Sequence, residues 1–413
     1  MSDITMPAVR FRWQTPAIIL LCGCLIGVLG FGARTGLGFF LTPMSLENGW
    51  GRDVFSLALA IQMLLWGAAQ PFAGAIADRF GAALVLSVGA VLYALGLAAM
   101  AYAGTPAMLH LSAGVMIGFG LAGSSFTVVI GAFGKLMPPQ WRSLAFGAGT
   151  AAGSFGHFLF SPLAVALIDG YGWRHTLVIF AAIVLLIIPL SLAFAAPRTN
   201  GATAAATAPQ QSLVQALTEA LGHRSYWLLV LGFFTCGFQI FFIAVHLPAY
   251  LVDRGLAAEI GGWTLGVIGL FNMVGAITAG WLSALMPRRY LLSIIYFARA
   301  VAILAFIMLP PSAAATLIFG AVLGLLWLST VPPTSGLVTV MFGAHWLAML
   351  FGFAFFSHQI GGFLGVWLGG VLFERTGSYD LVWWLSILLG LLSAAINLPI
   401  VEKPVQRLAA APA

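Results

Sequence analysis

The sequence has very little charge. Of its 413 residues only 7% are Asp, Glu, Lys or Arg, whereas an ordinary soluble domain has roughly 25%. Apolar residues make up 61%, and the mean hydropathy is +1.05. A chain so poor in charge cannot cover a surface that faces water, so its main solvent is lipid. These values exclude a soluble enzyme, a disordered chain and a disulfide-stapled secreted domain.

Several chemical motifs are missing as well. The three cysteines, Cys22, Cys24 and Cys236, lie in apolar stretches and are interpreted as packing residues. No Walker phosphate loop, zinc-protease helix or nucleophile elbow occurs, which argues against ATP hydrolysis and against an enzyme. The 17 basic residues outnumber the 11 acidic ones but form no run that would hold a nucleic acid. We therefore expect no cofactor, no bound metal and no nucleic-acid partner. We also expect no cleavable signal, because the first apolar segment is about twice as long as a signal core.

Long apolar runs are what the sequence does contain. Each run of about 20 apolar residues is long enough to cross a bilayer as a helix. Twelve such spans are predicted, at 16–43, 54–77, 81–103, 106–134, 141–168, 174–195, 225–251, 259–285, 289–310, 313–342, 346–372 and 381–401. The predicted fold class is therefore an all-α membrane protein with twelve transmembrane helices.

A polar break divides the spans into two groups of six. Residues 197–211 are small and polar and read as a linker. Ser212 is a candidate cap for a short amphipathic helix on the membrane surface, with Leu213, Leu217 and Leu221 on one face. The predicted organisation is a six-helix bundle at 1–195, a cytoplasmic linker at 196–224, and a second six-helix bundle with a short tail at 225–413.

The basic residues predict the orientation. With both termini in the cytoplasm, eleven of the 17 Lys and Arg residues fall in cytoplasmic segments and four in outer ones. This bias follows the positive-inside rule. We expect a multi-pass protein of the cell (inner) membrane with both ends cytoplasmic.

The two halves resemble each other. Arg34 and Gln239 each lie nine residues before a proline in the first span of a half, and Gly74 and Gly280 lie near the cytoplasmic end of the second. Two six-helix repeats with a linker between them are a transporter layout, with the binding site at the repeat interface. Chance similarity between glycine-rich helices is the alternative.

Arg34 is the most informative residue, because an ionisable group at bilayer depth costs about 2.5–3.5 kcal/mol. It is surrounded in sequence by glycines, and no acidic residue lies in the middle of any predicted span. A planar guanidinium without a protein counter-ion is a candidate site for a carboxylate. The alternative is an arginine that reaches the outer interface or bonds helix carbonyls.

Other polar residues in the spans are candidates for the same site. Gln239, His246 and His358 are interpreted as polar partners of Arg34. Because histidine can carry a proton near neutral pH, His157, His246 and His358 are also candidate proton carriers. The alternative for each histidine is a structural hydrogen bond to a neighbouring helix.

Spans 10 and 4 add further candidates. Span 10 contains Trp327 and Thr334 around the adjacent Pro332 and Pro333, which interrupt the backbone hydrogen bonds. Ser125 lies in span 4. These side chains could line a polar path or form ordinary contacts between helices. Arg299, in span 9, is interpreted as a structural arginine bonded to carbonyls or hydroxyls, with a functional role as the alternative.

The segment Gly74-Ala-Ile-Ala-Asp78-Arg79-Phe80-Gly81 resembles the cytoplasmic-loop signature of the major facilitator superfamily. The resemblance covers nearly the whole chain and implies two six-helix repeats that move against each other. It also implies that Gly74, Asp78 and Arg79 form a conformational latch. The mirrored loop after Gly280 lacks the acidic residue.

Shorter stretches resemble bacterial members of the monocarboxylate and oxalate/formate transporter branch. They are Gly49-Trp-Gly-Arg52, Gly170-Tyr-Gly-Trp-Arg174, Cys236-Gly-Phe-Gln239, His246-Leu-Pro248, Pro332-Pro-Thr334 and Ser357-His-Gln359. The branch implies that Arg34 stands about where a basic residue engages the substrate. One departure is that Leu270–Ala276, in span 8, has no charge where animal monocarboxylate transporters carry an acid–arginine pair.

We therefore expect a secondary active transporter that moves a small organic anion, a carboxylate, by alternating access, with a co-transported proton as a further expectation. The alternatives are a proton-driven exporter of a neutral or amphipathic compound, a transport-inactive membrane receptor and an integral membrane enzyme.

Overall fold

The chain folds almost entirely into helices. The computed structural model describes residues 13–195, 213–343 and 347–405, and these ranges contain no β-strand. Eleven of their helical segments are long and apolar enough to cross a membrane. The longest, Gly147–Phe194, holds two crossings, because Gly172 breaks the helix with a positive φ of 77°. Twelve crossings therefore follow, as the apolar runs predict.

The helices lie close to the predicted spans. In the first half they are Pro16–Thr35, Gly36–Phe40 (a 3₁₀ segment) and Leu41–Asn48 in span 1, Arg52–Phe80 in span 2, Ala82–Ala101 in span 3, Pro106–Leu109, His110–Met116, Ile117–Gly123 and Phe126–Leu136 in span 4, and Pro139–Leu185, Ile187–Ser191 and Leu192–Phe194 in spans 5 and 6. In the second half they are Arg224–Asp253 in span 7, Ala258–Leu285 in span 8, Arg288–Met308 in span 9, Ala313–Leu326 and Val331–Phe342 in span 10, Leu347–Thr376 in span 11 and Asp380–Asn397 in span 12.

Local sequence signals mark several helix starts. Thr15 caps span 1 by accepting from the backbone N–H of Ile18, with a proline at the first helical position. Thr105 and Ser312 cap spans 4 and 10 in the same way. A hydroxyl oxygen at this position bonds one of the N–H groups that the first turn leaves without a partner.

The segment between the halves contains the expected short helix, Leu213–Leu221. Its most buried residues are Ala216 and Ala220, whereas Leu221 is 39% exposed. The alanines therefore face the protein, and the leucine face on the membrane surface stays a prediction. The proposed cap at Ser212 lies outside the described residues.

The helix ends define two sides of the molecule. We call the side with the start of span 1 and the end of span 12 the terminal side, and the other the distal side. On the terminal side, Gln14 bonds the carbonyls of Leu192 and Ala195, and the backbone N–H of Val401 bonds Ser225. The distal side carries the connections between spans 1 and 2, 7 and 8, and 11 and 12.

Glycine lets spans 7 and 11 pack closely. A side chain at Gly361 would collide with the carbonyl oxygen of Phe234, and one at Gly365 with that of Phe238. Gly361 and Gly365 therefore form a contact surface between two helix backbones.

Candidate functional site

Arg34 lies at the end of the first helix of span 1, where the chain tightens into the 3₁₀ segment Gly36–Phe40. Its Nη2 donates to the sulfur of Met63 at 2.8 Å, and its Nε is buried without a hydrogen-bond partner. Within the described ranges, no carboxylate forms an ion pair with it. The guanidinium is therefore a cation whose counter-charge these parts of the protein do not supply.

Two aromatic rings from different halves hold this guanidinium. Its central carbon lies 5.1 Å from the ring centre of Trp66, in span 2, and 4.4 Å from that of Phe241, in span 7. Both distances fall in the range of cation–π attraction. Arg34 is thus at the interface between the halves and not turned toward lipid.

A cavity opens beside Arg34. It is small and is lined by Ile26, Gly27, Gly30, Phe31, Arg34, Trp66, Leu121, Ser124 and Ser125. Among these lining residues Arg34 carries the charge, and the serines are the uncharged polar groups. The lining is otherwise apolar, which is the usual composition of a small-molecule site with few orienting polar groups.

Gln70 connects two of these lining residues, and sequence reasoning missed it. The indole N–H of Trp66 donates to Oε1 of Gln70 at 3.0 Å, and Nε2 of Gln70 donates to Oγ of Ser125 at 2.9 Å. The signal in the sequence was an amide one helical turn after a tryptophan in an apolar span. Trp66 and Phe241 were missed because they read as ordinary core residues.

His358 packs against Phe241, the ring that lies over Arg34. Its ring centre is 5.3 Å from that of Phe241, 4.9 Å from Phe233 and 5.7 Å from Phe355, which stacks on it. Its ring also lies in hydrogen-bonding range of the Cys236 thiol. The structure therefore brings His358 next to the aromatic wall of the Arg34 site but not into contact with the guanidinium.

His157 and Trp327 meet across the interface between the halves. Their ring centres are 6.0 Å apart in an edge-on arrangement, and Nε2 of His157 is buried without a hydrogen-bond partner. His157 also lies within electrostatic range of Arg34. Thr334 is fully buried in span 10, and its hydroxyl has no partner among the described residues.

Gln239 faces away from the Arg34 cavity. Its Nε2 donates to the carbonyl of Ser386 at 2.9 Å, and its Oε1 accepts from Arg299 at 3.5 Å. Because Gln239 precedes Phe241 by two residues, the two side chains leave span 7 about 200° apart. The sequence analysis interpreted Gln239 as a partner of Arg34. The structure instead places it toward spans 9 and 12.

Arg299 stabilises the break in span 10. Its Nε donates to the carbonyl of Leu326 at 2.9 Å, and its Nη2 donates to the carbonyls of Leu326 and Trp327. These carbonyls lie where the helix stops before Val331, ahead of the two prolines. The structural interpretation of Arg299 accounts for all of these contacts.

On the distal side, an arginine of the first half contacts four residues of the second. Arg52 makes a bidentate pair with Asp253, at 2.6 and 2.7 Å, and donates to the hydroxyl of Tyr379 at 3.0 Å. Its backbone N–H donates to Glu374 at 2.6 Å, and its guanidinium lies 3.9 Å from the ring centre of Phe373. We call this set the Arg52 clamp. It joins the two halves on the distal side.

His246 supports the Arg52 clamp from within the second half. Its Nε2 lies 2.9 Å from the carbonyl of Val366, and its Nδ1 lies 3.2 Å from the hydroxyl of Tyr379. Since a carbonyl can only accept, Nε2 carries the proton and Nδ1 accepts from the tyrosine. Burial raises the pKa of the Tyr379 hydroxyl to about 12, so this donor stays protonated at physiological pH. His246 is therefore part of the distal contact and not of the Arg34 cavity.

The two halves separate toward the terminal side. A Cβ added at Gly67, in span 2, would contact Gln359 of span 11, but seven residues on, at Gly74, it would meet nothing within 4 Å. On span 11, Gly352 stands seven residues before Gln359 and also has nothing within 4 Å. Residues seven apart share a helix face, so this interface is closed in its distal half and open in its terminal half.

The second interface diverges in the same direction. Ser154, in span 5, accepts a hydrogen bond from Asn272 of span 8 at 2.9 Å. Seven residues before Ser154, a Cβ at Gly147 would meet nothing within 4 Å. The described residues therefore form a structure closed on the distal side and open on the terminal side.

Of the predicted latch, Gly74 lies on this open face of span 2. Arg79 is exposed, with its guanidinium 5.2 Å from the ring of Phe80. Asp78 lies within the helix Arg52–Phe80, and its side chain is outside the described part of the structure. The latch stays a prediction.

In the described ranges, twelve membrane crossings form two halves that contact each other on the distal side and separate on the terminal side, an architecture typical of membrane transporters. The Major Facilitator Superfamily profile matches residues 23–366, and the chain belongs to that family. It is 27% identical to the uncharacterized MFS-type transporter YcxA of Bacillus subtilis (strain 168), over 95% of this chain and 96% of that protein. It is 28% identical to human monocarboxylate transporter 11, over 89% of this chain and 79% of that protein. The family and these relatives are transporters and not enzymes.

Solved structures agree on the fold. The chain superposes on a bacterial homologue of the human lysosomal transporter Spinster, in an inward-facing form, with a TM-score of 0.75 at 15% identity, covering 94% of this chain and 97% of that one. It superposes on a D-xylose–proton symporter with a TM-score of 0.69 at 15% identity, covering 95% and 99%. The predicted fold and family are confirmed.

Proposed function

We propose that this transporter carries a small organic anion, a carboxylate, and that Arg34 binds it. The observation that carries the proposal is the guanidinium at the interface of the halves, with a buried Nε that has no partner and no described carboxylate paired with it. An anion entering the cavity would supply the missing counter-charge and accept the free donors. The similarity to monocarboxylate transporter 11 supports a carboxylate.

The side on which the two halves separate indicates where the ligand would enter and leave. With the termini in the cytoplasm, as the basic residues predict, the terminal side faces the cytoplasm and the distal side faces outward. The structure then corresponds to a form that exchanges its ligand with the cytoplasm. A proton carried with the anion would use His157 or His358, since His157 has a buried ring nitrogen without a hydrogen bond among the described residues and His358 packs against the ring that lies over Arg34.

Uptake into proteoliposomes tests the proposal. The purified protein is reconstituted and assayed with labelled formate, acetate, pyruvate, lactate and benzoate, with and without an inward proton gradient. We expect saturable uptake of at least one of them, and loss of at least nine-tenths of it in Arg34→Met, because the substitution removes the charge and keeps the apolar stem. Arg375→Gln is the matched control, since that arginine is exposed on the distal side.

Two outcomes would contradict the proposal. Parent-like uptake in Arg34→Met would separate the anion from the guanidinium. Uptake of neutral or hydrophobic compounds, with no competition from any of the carboxylates, would instead support the proton-driven exporter.

A further inference from the structure

The orientation of the Gln70 side chain is fixed by its neighbour. The indole nitrogen of Trp66 can only donate, so the atom that it contacts on Gln70 is the amide oxygen. The amide nitrogen therefore points the other way and donates to Oγ of Ser125. Gln70 and Ser125 are both buried, with 8% and 6% of their surface exposed.

This contact determines what Ser125 can offer to the cavity. A hydroxyl has one proton, and at Ser125 the oxygen accepts from Gln70 while the proton bonds no acceptor within the described ranges. Its neighbour Ser124 differs, because it donates its proton to the carbonyl of Gly120 at 2.8 Å. Of the two serines that line the cavity, Ser125 is the one that keeps a free donor.

We propose that Gln70 is a positioning residue of the anion site, which holds Ser125 so that its proton is presented to the anion that Arg34 binds. This inference rests on the proposed function and deepens it. The ligand is a small anion with two acceptor atoms, one for the guanidinium and one for the hydroxyl, as a carboxylate has. The chain Trp66–Gln70–Ser125 also ties the aromatic wall over Arg34 to the second donor, so one amide organises both parts of the site.

Binding measurements on four variants test this role. Ser125→Ala removes the donor, Ser125→Thr keeps a hydroxyl, and Gln70→Met removes the orienting amide at similar length. Gln62→Met is the matched control. Gln62 is a buried glutamine on the same helix that donates to the carbonyl of Ala113, and it is not among the cavity-lining residues. The probes are the five carboxylates named above, titrated by calorimetry into purified protein, with Arg34→Met as the reference for lost binding.

We expect Ser125→Ala to weaken binding of the tightest probe about tenfold, as for the loss of one hydrogen bond to a charged group. Gln70→Met should weaken it by a similar factor, and Ser125→Thr and Gln62→Met by less than about twofold on the same scale. Because Gln70 acts through Ser125, adding Gln70→Met to Ser125→Ala should change the affinity by less than about twofold. A merely structural role would not produce this lack of additivity.

The failures of the two proposals can be told apart. If a carboxylate binds and Arg34→Met abolishes the binding, but Ser125→Ala binds like the parent, the positioning role of Gln70 is overturned and the function of Arg34 stands. Additive losses in the double variant would also overturn it. If none of the five carboxylates binds in an Arg34-dependent way, the proposed function is wrong and this inference is wrong with it.

Discussion

The Arg52 clamp predicts how strongly the distal side is held shut. Asp253→Asn keeps the shape of the side chain and one acceptor but removes its charge. A hydrogen bond to a charged group contributes about 1.5–3 kcal/mol and a neutral one about 0.5–1.5 kcal/mol. The Asp253 side chain is 34% exposed and that of Arg52 14%, so screening by water reduces the difference to about 1 kcal/mol. The ratio of the distally closed population to the distally open population should therefore fall by roughly a factor of five.

Ser56 offers a reporter for this shift. It is fully buried at the distal end of span 2, where its side chain faces Gly370 of span 11. In Ser56→Cys protein, a membrane-impermeant maleimide should react when the distal side opens, so the labelling rate follows the population of the open form. We expect labelling about fivefold faster in Ser56→Cys/Asp253→Asn than in Ser56→Cys, in line with the estimate above.

Two controls accompany the Ser56→Cys labelling experiment. Glu259→Gln removes an exposed acid at the start of span 8, six residues from Asp253, and should leave the rate unchanged. Protein with Ser56 intact reports any labelling of the native cysteines, one of which, Cys236, is buried. Equal labelling with and without the Asp253 charge would mean that the Arg52 clamp does not restrain the distal side.

Three further predictions use the same contacts. Tyr379→Phe removes the hydroxyl between Arg52 and His246 and should raise the Ser56→Cys labelling rate by the same factor at every physiological pH, because the pKa of that hydroxyl is about 12. The thiol itself reacts faster as pH rises, so the ratio of the Ser56→Cys/Tyr379→Phe rate to the Ser56→Cys rate is compared at each pH, and a ratio that changes between mildly acidic and mildly basic buffer would contradict this. Gly38→Ala places a methyl group against the carbonyl of Ala244, so it should also speed labelling, whereas Gly104→Ala, with open space around it, should not. Arg299→Met leaves two carbonyls at the break in span 10 without donors. It should lower the free energy of unfolding by about 1–3 kcal/mol, measured by unfolding in detergent.

The sequence was sufficient to predict the spans but not their rotation. Apolar runs give the positions of the helices, and Pro332 and Pro333 give the break in span 10, because both depend on local physics. Gln239 and His246 do share one face of span 7, as their seven-residue spacing requires. Which neighbour that face meets depends on packing between distant segments, and it turned out to be spans 9, 11 and 12.

The Arg34 site likewise has one residue that local sequence identifies and others that only tertiary packing identifies. A lone arginine among glycines in an apolar span is unusual enough to be found from sequence. Trp66 and Phe241 could not be assigned to it, because aromatic residues are common in every span and only the tertiary contact distinguishes these two. Gln70 carried a detectable signal, an amide in an apolar helix, but its role depends on a bond to span 4 that no local pattern contains.

The wedge-shaped gap between the halves has a consequence for how this protein would respond to added bulk. A side chain at Gly74 would begin in open space in the form seen here, because an added Cβ meets nothing within 4 Å. The penalty would arise only in the alternate state, when spans 2 and 11 come together at that level. A bulky side chain near the terminal end of span 2 should therefore hold the protein in the form that is open on the terminal side. A bulky side chain near the distal end of the same helix should hold it in the form that is open on the distal side.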